Sequence, residues 1–307
     1  MLATFQLVGQ QVVVLFLLML VGAICNRAGF FGEPEVKGLS KMVLYFVTPC
    51  VIVESFQREP NGTMIRNLLI TMGIAFASYI LGIVLANLCV HDKDESKELV
   101  LRFGAVFGNC GFMSLPIEEA LLGEDGVFYG AVFIAAFNLV VWTYGLAVMS
   151  GDKKTISWKK LAVNPGILGT LAGLIVFLFR ISLPAVFQEP ISFMADLNTP
   201  LPMIIIGYYL GNLKLHHLVE TKKQYFSIFL KLICIPGLTL LMMWPMHLDK
   251  NVILVCTIAS CAPTAANTAM FAAMFNRDSQ LAAQMVSVGT LFSLITIPSM
   301  VALATLL

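Results

Sequence analysis

Two stretches of the sequence combine helix-breaking residues with small polar side chains in apolar surroundings. Proline removes a backbone donor and glycine loosens the backbone, so both stretches are predicted to unwind within a helix. Backbone groups freed inside an apolar region must be satisfied by a cavity, an ion or a ligand. We therefore expect a ligand-binding site that is formed by Asn109, Gly111, Pro116, Pro263, Thr264, Asn267 and Thr268.

Ionisable residues in the same apolar surroundings are candidates for binding a coupling ion or a proton. Glu118 and Glu119 follow Pro116, and because adjacent helical residues point about 100° apart, only one of them can face the unwound region. A solvated pair at a helix end is the alternative. Asn138 is a further candidate for coupling, with a hydrogen bond between helices as its alternative role.

Lys231 is the one cation placed deep within an apolar span of the sequence. At about 15 Å from the start of its helix, its ammonium needs a partner or a water-filled cavity. Asp196 and Glu54 are the candidate partners. A structural ion pair and a charge that attracts an anion are both open.

The composition is that of an integral membrane protein. Of the 307 residues, 58% are hydrophobic and 12% are charged, whereas a soluble domain has about 25% charged residues. Only helices or a closed barrel can span a membrane, and the apolar runs lack the alternation of barrel strands. The net charge of +1 gives no indication of nucleic-acid binding, and the seven cysteines, none in a CxxC pair, predict neither a disulfide framework nor a metal site.

Cutting the chain at its charged clusters leaves ten apolar spans, and the ninth and fourth contain the two broken stretches. The spans are 1–26, 42–53, 67–90, 103–117, 126–151, 161–179, 197–213, 232–248, 251–276 and 279–307. The odd-numbered loops between them carry fourteen Lys and Arg residues and the even-numbered loops carry four. Because short cytoplasmic loops are enriched in these residues, both termini are predicted to lie outside the plasma membrane. The first charge is Arg27, so the first span is predicted to be a retained helix rather than a signal peptide.

The two halves of the chain are predicted to be an inverted repeat. Gly22 precedes Pro49 by 27 residues, and Gly173 precedes Pro200 by the same 27. Pro116 and Pro263 are also matched between the halves. The predicted units are residues 1–149, a cytoplasmic linker at 150–160, and residues 161–307. Five spans per half is an odd number, so the second half must enter the membrane from the opposite side, as in many secondary transporters.

The motifs FGNCGFMSLPIEEALLGEDG (107–126), CAPTAANTAMFAAMFNRD (261–278) and VLYFVTPCVIVESF (43–56) resemble those of the auxin efflux carrier family. The resemblance extends over essentially the whole chain, which lacks the long central loop of many plant members, as bacterial permeases do. It implies ten helices in an all-α fold like that of the bile-acid sodium symporters, with helices 4 and 9 crossing at their breaks. It also implies a scaffold of helices 1, 2, 6 and 7 and a transport domain of helices 3–5 and 8–10.

The resemblance and the candidate residues together predict a secondary transporter for a small organic anion, such as malate or an auxin-like weak acid, that works as an elevator. Proton coupling is the first expectation; sodium symport, uniport, and a receptor or channel on the same scaffold are alternatives. No cofactor is expected besides H⁺ or Na⁺, and the scaffold could support a homodimer. The GxxxxGK[ST] nucleotide-binding motif is absent and the four histidines lie at span ends, so neither ATP drive nor an intramembrane enzyme is expected.

Overall fold

The computed structural model describes residues 2–151, 165–211 and 222–306, and within these ranges the chain is helical, without a named strand. Short π-helical turns interrupt several of the helices, including one at Leu230–Cys234. The helices are α1 Leu2–Arg27, α2 Glu33–Ser55, α3 Gly62–Cys89, α4 Glu95–Val106, α5 Leu115–Leu122, α6 Glu124–Ser150, α7 Pro165–Leu178, α8 Ala185–Asp196, α9 Pro200–Gly211, α10 Lys222–Met246, α11 Lys250–Cys261, α12 Asn267–Met274 and α13 Ser279–Ala304.

Six of these helices are long and apolar enough to cross a membrane: α1, α2, α3, α6, α10 and α13. Many of their large apolar side chains face outward, among them Leu17, Leu69 and Ile295, each more than half exposed. A surface of this kind is stable against lipid and not against water. The helical, apolar fold therefore agrees with the prediction of an integral membrane protein.

The remaining four predicted spans correspond to shorter helices. The fourth span is divided into α4 and α5, and the ninth into α11 and α12. The sixth and seventh spans contain α7 and α9. The first residue of α7 and the last residue of α9 adjoin residues outside the described ranges. Most of the predicted linker at 150–160 also lies outside the described residues.

Two pairs of helices approach closely through glycines. A Cβ atom built on Gly22 of α1 would lie 2.0 Å from the carbonyl oxygen of Ile204 in α9, and one built on Gly207 would lie 1.9 Å from that of Met19. Likewise, a Cβ on Gly169 of α7 would lie 2.9 Å from the Cα of Pro49 in α2. Small residues that let backbones touch are the usual means of packing helices in lipid. We call α1, α2, α7 and α9 the scaffold helices.

Polar contacts collect at the two ends of the helices. At one end, Arg58 forms an ion pair with Asp125 at 2.7 Å, and Asn251 donates to the same carboxylate at 2.9 Å. At the other end, Lys223 pairs with Asp92 at 2.9 Å, and Arg277 donates to the carbonyl oxygen of Met149 at 2.9 Å. These ion pairs and hydrogen bonds thus lie at the ends of the helices and not along their apolar lengths.

Candidate functional site

The two breaks in the helices run antiparallel and hydrogen-bond to each other. The backbone N–H of Asn109 donates to the carbonyl oxygen of Pro263 at 2.7 Å, and the N–H of Ala265 donates to that of Phe107 at 3.0 Å. Gly108 and Thr264 face each other as an isolated antiparallel bridge. We call these two unwound segments, residues 107–109 and 262–266, the crossing. Each break supplies part of the hydrogen bonding that the other has lost, which makes unwound backbone tolerable among apolar helices.

The second break forms where the sequence predicts it. Pro263 has no N–H to continue α11, and the preceding Ala262 adopts an extended conformation with φ −56° and ψ 140°, as residues before proline do. Thr264 is 1% exposed, and its hydroxyl donates to the carbonyl oxygen of Gly104 at 2.9 Å. The Thr264 side chain therefore ties the second break to the end of α4.

The first break lies at Gly108 rather than at Pro116. Pro116 falls in the first turn of α5, where the missing N–H of proline costs nothing because the first N–H groups of a helix have no partner within it. Pro263 accordingly accepts its hydrogen bond across the crossing from Asn109, and Pro116 lies beyond the first break. The match of Pro116 and Pro263 between the two halves of the sequence stays a prediction. Gly111 also lies beyond the break, with only Ile134 near a Cβ built on it, at 3.9 Å.

Gly108 makes room for a charged side chain at the crossing. A Cβ atom there would lie 2.6 Å from both Cε and Nζ of Lys231 and 2.8 Å from the carbonyl oxygen of Ala262. Gly108 lies beside the predicted Asn109 but is not among the predicted site residues. No sequence signal shows that Lys231 of α10 reaches this position, so the requirement for glycine emerges only from the structure.

Lys231 is buried at the crossing, 3% exposed, in the π-helical turn of α10. Its ammonium donates to the carbonyl oxygen of Ser260 at 2.9 Å, and within the described residues it forms no ion pair with a carboxylate. The predicted partners are therefore corrected: Asp196 makes no pair with Lys231, and Glu54 accepts a hydrogen bond from Ser192 instead. Among the described residues, the partner of the Lys231 ammonium is therefore a backbone carbonyl group near the end of α11 and not an acid.

Asn109 begins the helical turn that leads into α5. Its side-chain oxygen caps the N–H of Phe112 at 3.4 Å, and the residue is 7% exposed. Within the described ranges, its side-chain NH₂ group has no acceptor. This amide group, next to the crossing and at the positive end of a helix, can donate to an anionic ligand.

Thr268 and Asn267, the other predicted site residues, follow the crossing in α12. Thr268 is fully buried, and its hydroxyl has no hydrogen-bond partner in the described structure. Asn267 is half-buried at the first position of α12. The structure thus brings Asn109, Pro263 and Thr264 into one cluster, with Asn267 and Thr268 on the adjoining turn.

Glu118 and Glu119 point in different directions, as predicted. Glu119 is exposed, whereas Glu118 is fully buried and neither of its carboxyl oxygens has a hydrogen-bond partner among the described residues. Gly130 of α6 allows this, since a Cβ there would lie 2.0 Å from Oε2 of Glu118. Of the two predicted residues, Glu118 is thus the one enclosed among the helices, and Glu119 lies at the surface. Their roles in coupling stay predictions.

Asn138 contributes to helix packing away from the crossing. Its amide nitrogen lies 2.3 Å from the position of a Cβ atom on Gly166 of α7, so it fills the space that this glycine leaves. The contact joins α6 to a scaffold helix. The contact is one of packing, so both the coupling role and the hydrogen bond between helices stay predictions for Asn138.

The crossing is closed to solvent in this structure, and an open cavity lies elsewhere. A cavity of about 730 Å³ occupies the end of the molecule where Arg58 pairs with Asp125. Its lining includes Arg66, Tyr129 and Asp249 and none of the crossing residues. Access to the buried groups at the crossing therefore requires a change of conformation.

Comparisons with known proteins place the chain in a family. Residues 7–301 match the family model described as "Membrane transport protein". An uncharacterized transporter of Methanocaldococcus jannaschii is 24% identical over 308 residues, covering 93% of this chain and 95% of the relative. An uncharacterized transporter of Escherichia coli K12 is 22% identical over 303 residues, covering 92% of this chain and 93% of the relative.

A shorter match is to a putative malonate transporter of Rhizobium meliloti, 21% identical over 183 residues, which covers 56% of this chain and 57% of that protein. The family match spans both breaks, four of the six long apolar helices in full, and most of α1 and α13. The chain therefore belongs to the membrane transport protein family, the auxin efflux carrier family whose motifs it carries, and it is a multi-pass membrane transporter.

Proposed function

We propose that the chain is a secondary transporter that carries a small organic anion through a site at the crossing. The observation that carries this proposal is the buried Lys231 ammonium, held against the paired breaks without a carboxylate partner among the described residues. A cation balanced only by carbonyl dipoles attracts a carboxylate that arrives from solution. The open NH₂ group of Asn109 and the N-terminus of the helix it caps supply further donors.

A dicarboxylate is the substrate class to try first. One relative carries the name of a putative malonate transporter, although the match covers 56% of this chain. A short dicarboxylate has one carboxylate for the Lys231 ammonium and a second for the Asn109 amide. Malate is also a short dicarboxylate, and an auxin-like weak acid offers a single carboxylate for comparison, so both belong in the same panel.

Ten spans in two inverted five-helix repeats are the architecture that best fits this function. The contacts of the scaffold helices support the repeat, because they come in related pairs. A Cβ atom built on Gly22 would lie 2.0 Å from the carbonyl oxygen of Ile204, and one built on Gly173 would lie 3.3 Å from the carbonyl oxygen of Ile52. Gly22 and Gly173 are 151 positions apart, and Ile52 and Ile204 are 152 positions apart. The same contact is thus made twice with the roles of the halves exchanged.

In this architecture the remaining helices would move as an elevator against the scaffold helices, with the termini outside the plasma membrane. Proton coupling through Glu118 fits a carboxyl group that is buried without a partner. The proton would neutralise part of the substrate charge while the substrate passes through the membrane. This lowers the electrostatic cost of moving an anion through lipid.

The proposal is tested by uptake into proteoliposomes that contain the purified protein. Radiolabelled malonate, malate and an aromatic weak acid are offered under an inward proton gradient, an inward sodium gradient and no gradient. We expect saturable uptake of at least one of these anions, accelerated by the proton gradient. If protein-free liposomes match the proteoliposomes for every anion under all three conditions, the proposed function is rejected.

A further inference from the structure

The C-terminal end of α11 carries carbonyl groups that a helix break leaves without donors. Pro263 has no N–H for the carbonyl oxygen of Ala259, and Thr264 is held by the other break instead of reaching back to Ser260. The carbonyl groups at a helix C-terminus carry a partial negative charge. Buried among apolar helices, such a group attracts a cation.

The cation that meets these carbonyls belongs to the protein itself. The Nζ atom of Lys231 is 2.9 Å from the carbonyl oxygen of Ser260. A Cβ atom on Gly108 would be 2.6 Å from Nζ and 2.8 Å from the carbonyl oxygen of Ala262, so the ammonium lies beside the unwound segment and not at the edge of the bundle. No acid is paired with it in the described ranges.

We propose that the Lys231 ammonium is a tethered cation that takes the place of a metal cation at the crossing. A sodium ion from solution could supply a positive charge to these carbonyl oxygens and to an incoming carboxylate. Lys231 supplies that charge instead, and it stays in place because it is part of the chain. An ammonium has three donors, and one of them is used by Ser260. The other two can reach a substrate carboxylate, a consequence that rests on the proposed function.

The inference predicts that the protein does not need sodium and acquires a cation requirement when the ammonium is removed. The thermal stability of purified protein is measured in sodium, potassium and choline chloride at equal ionic strength, without substrate. The variants are Lys231→Met, which removes the charge, and Lys231→Gln, which keeps a donor for Ser260 if the Met variant does not fold. Lys223→Met is the control, because it removes a charge from the same helix at the half-exposed pair with Asp92.

We expect that the Tm of the wild type is the same in sodium as in choline, and that the Tm of Lys223→Met is likewise the same in the two salts. The Lys231 variant should be less stable in choline and recover by about 4 °C as sodium or lithium fills the vacated position saturably. A saturable rise in the wild-type Tm with sodium would overturn the inference, and so would a folded Lys231 variant that is indifferent to the cation. Neither result depends on transport, so a failed uptake assay rejects the proposed function and leaves this inference standing.

Discussion

The scaffold contacts and the crossing both depend on glycine, and the comparison shows two different uses of it. Where α1 meets α9, Gly22 and Gly207 let one backbone touch another, with Cβ positions about 2 Å from carbonyl oxygens of the facing helix. At the crossing, Gly108 admits the ammonium of Lys231 beside unwound backbone. The first use gives a close apolar contact between α1 and α9, which we call the seam. The second makes room for a charged side chain at the crossing.

Because of this difference, we expect substitutions in the two regions to change different properties of the protein. A substitution in the seam of the scaffold helices displaces whole helices, because backbone atoms are what it would strike. A Cβ atom on Gly108 would strike Cε and Nζ of Lys231 at 2.6 Å, and the carbonyl oxygen of Ala262 at 2.8 Å. The two nearest atoms are therefore the end of a flexible side chain, and only the third belongs to the backbone. The seam should therefore respond mainly in folding and the crossing mainly in transport.

The largest effect is expected for Gly22→Ala. Its added Cβ would lie 2.0 Å from the carbonyl oxygen of Ile204, so α1 and α9 must separate, at a cost of about 3 kcal/mol or more. Gly9→Ala in the same helix is the matched control, because nothing lies within 4 Å of a Cβ there. Fluorescence-detected size exclusion and Tm report the outcome, and a Gly22→Ala variant as stable as Gly9→Ala would contradict the account of the seam.

Gly108→Ala is expected to keep the fold and lose transport. The Cβ atom displaces the Lys231 ammonium from Ser260, so uptake should fall about tenfold or more, which corresponds to about 1.4 kcal/mol. Gly111→Ala is the control three residues away, where the nearest atom would be 3.9 Å from the Cβ. Equal uptake by the two variants in proteoliposomes would show that the Lys231 position does not matter.

Glu118→Gln is expected to keep substrate exchange and to abolish the acceleration of uptake by a pH gradient. The buried carboxyl group becomes a neutral amide of the same size, so substrate exchange should continue while an imposed pH gradient no longer accelerates uptake. Glu119→Gln, on the exposed neighbour, should respond to the gradient like the wild type. A Glu118→Gln variant that is still driven by a pH gradient would remove Glu118 from the coupling.

The smallest effect is expected at the helix ends. The backbone N–H of Asp94 and the ammonium of Lys223 hold the pKa of the Asp92 carboxyl below its usual range. A lowered pKa stabilises the fold above the unfolded value of about 3.9, and this contribution is lost as the pH falls below that value.

Asp92→Asn should therefore lower Tm by about 1 °C at pH 7 and make it less sensitive to acidification below about pH 4. Lys223→Met, which removes one of the two causes, should give a part of the same change. Superimposable curves of Tm against pH for the wild type and Asp92→Asn would show that the pair contributes nothing.

The sequence predicts the elements of the site better than their contacts. Apolar runs and charge clusters locate the long helices, and Pro263 locates the second break, because these depend on local chemistry alone. The position of the first break depends on residues that are distant in the sequence. Pro116 is the stronger breaker by type, yet the chain unwinds at Gly108, where the partner segment and the Lys231 side chain meet. Likewise, Lys231 has plausible acid partners in the sequence and uses a backbone carbonyl instead.

Counterflow in proteoliposomes tests the central claim, that an organic anion binds at the crossing, most directly. Vesicles loaded with unlabelled malonate or malate are diluted into the labelled anion, and the wild type is compared with Asn109→Ala, Lys231→Met and the control Lys223→Met. We expect exchange by the wild type and by Lys223→Met, with a loss of about tenfold or more in the two crossing variants, which corresponds to at least one lost charged hydrogen bond. Exchange by folded Asn109→Ala and Lys231→Met at the wild-type rate would place the substrate somewhere other than the crossing.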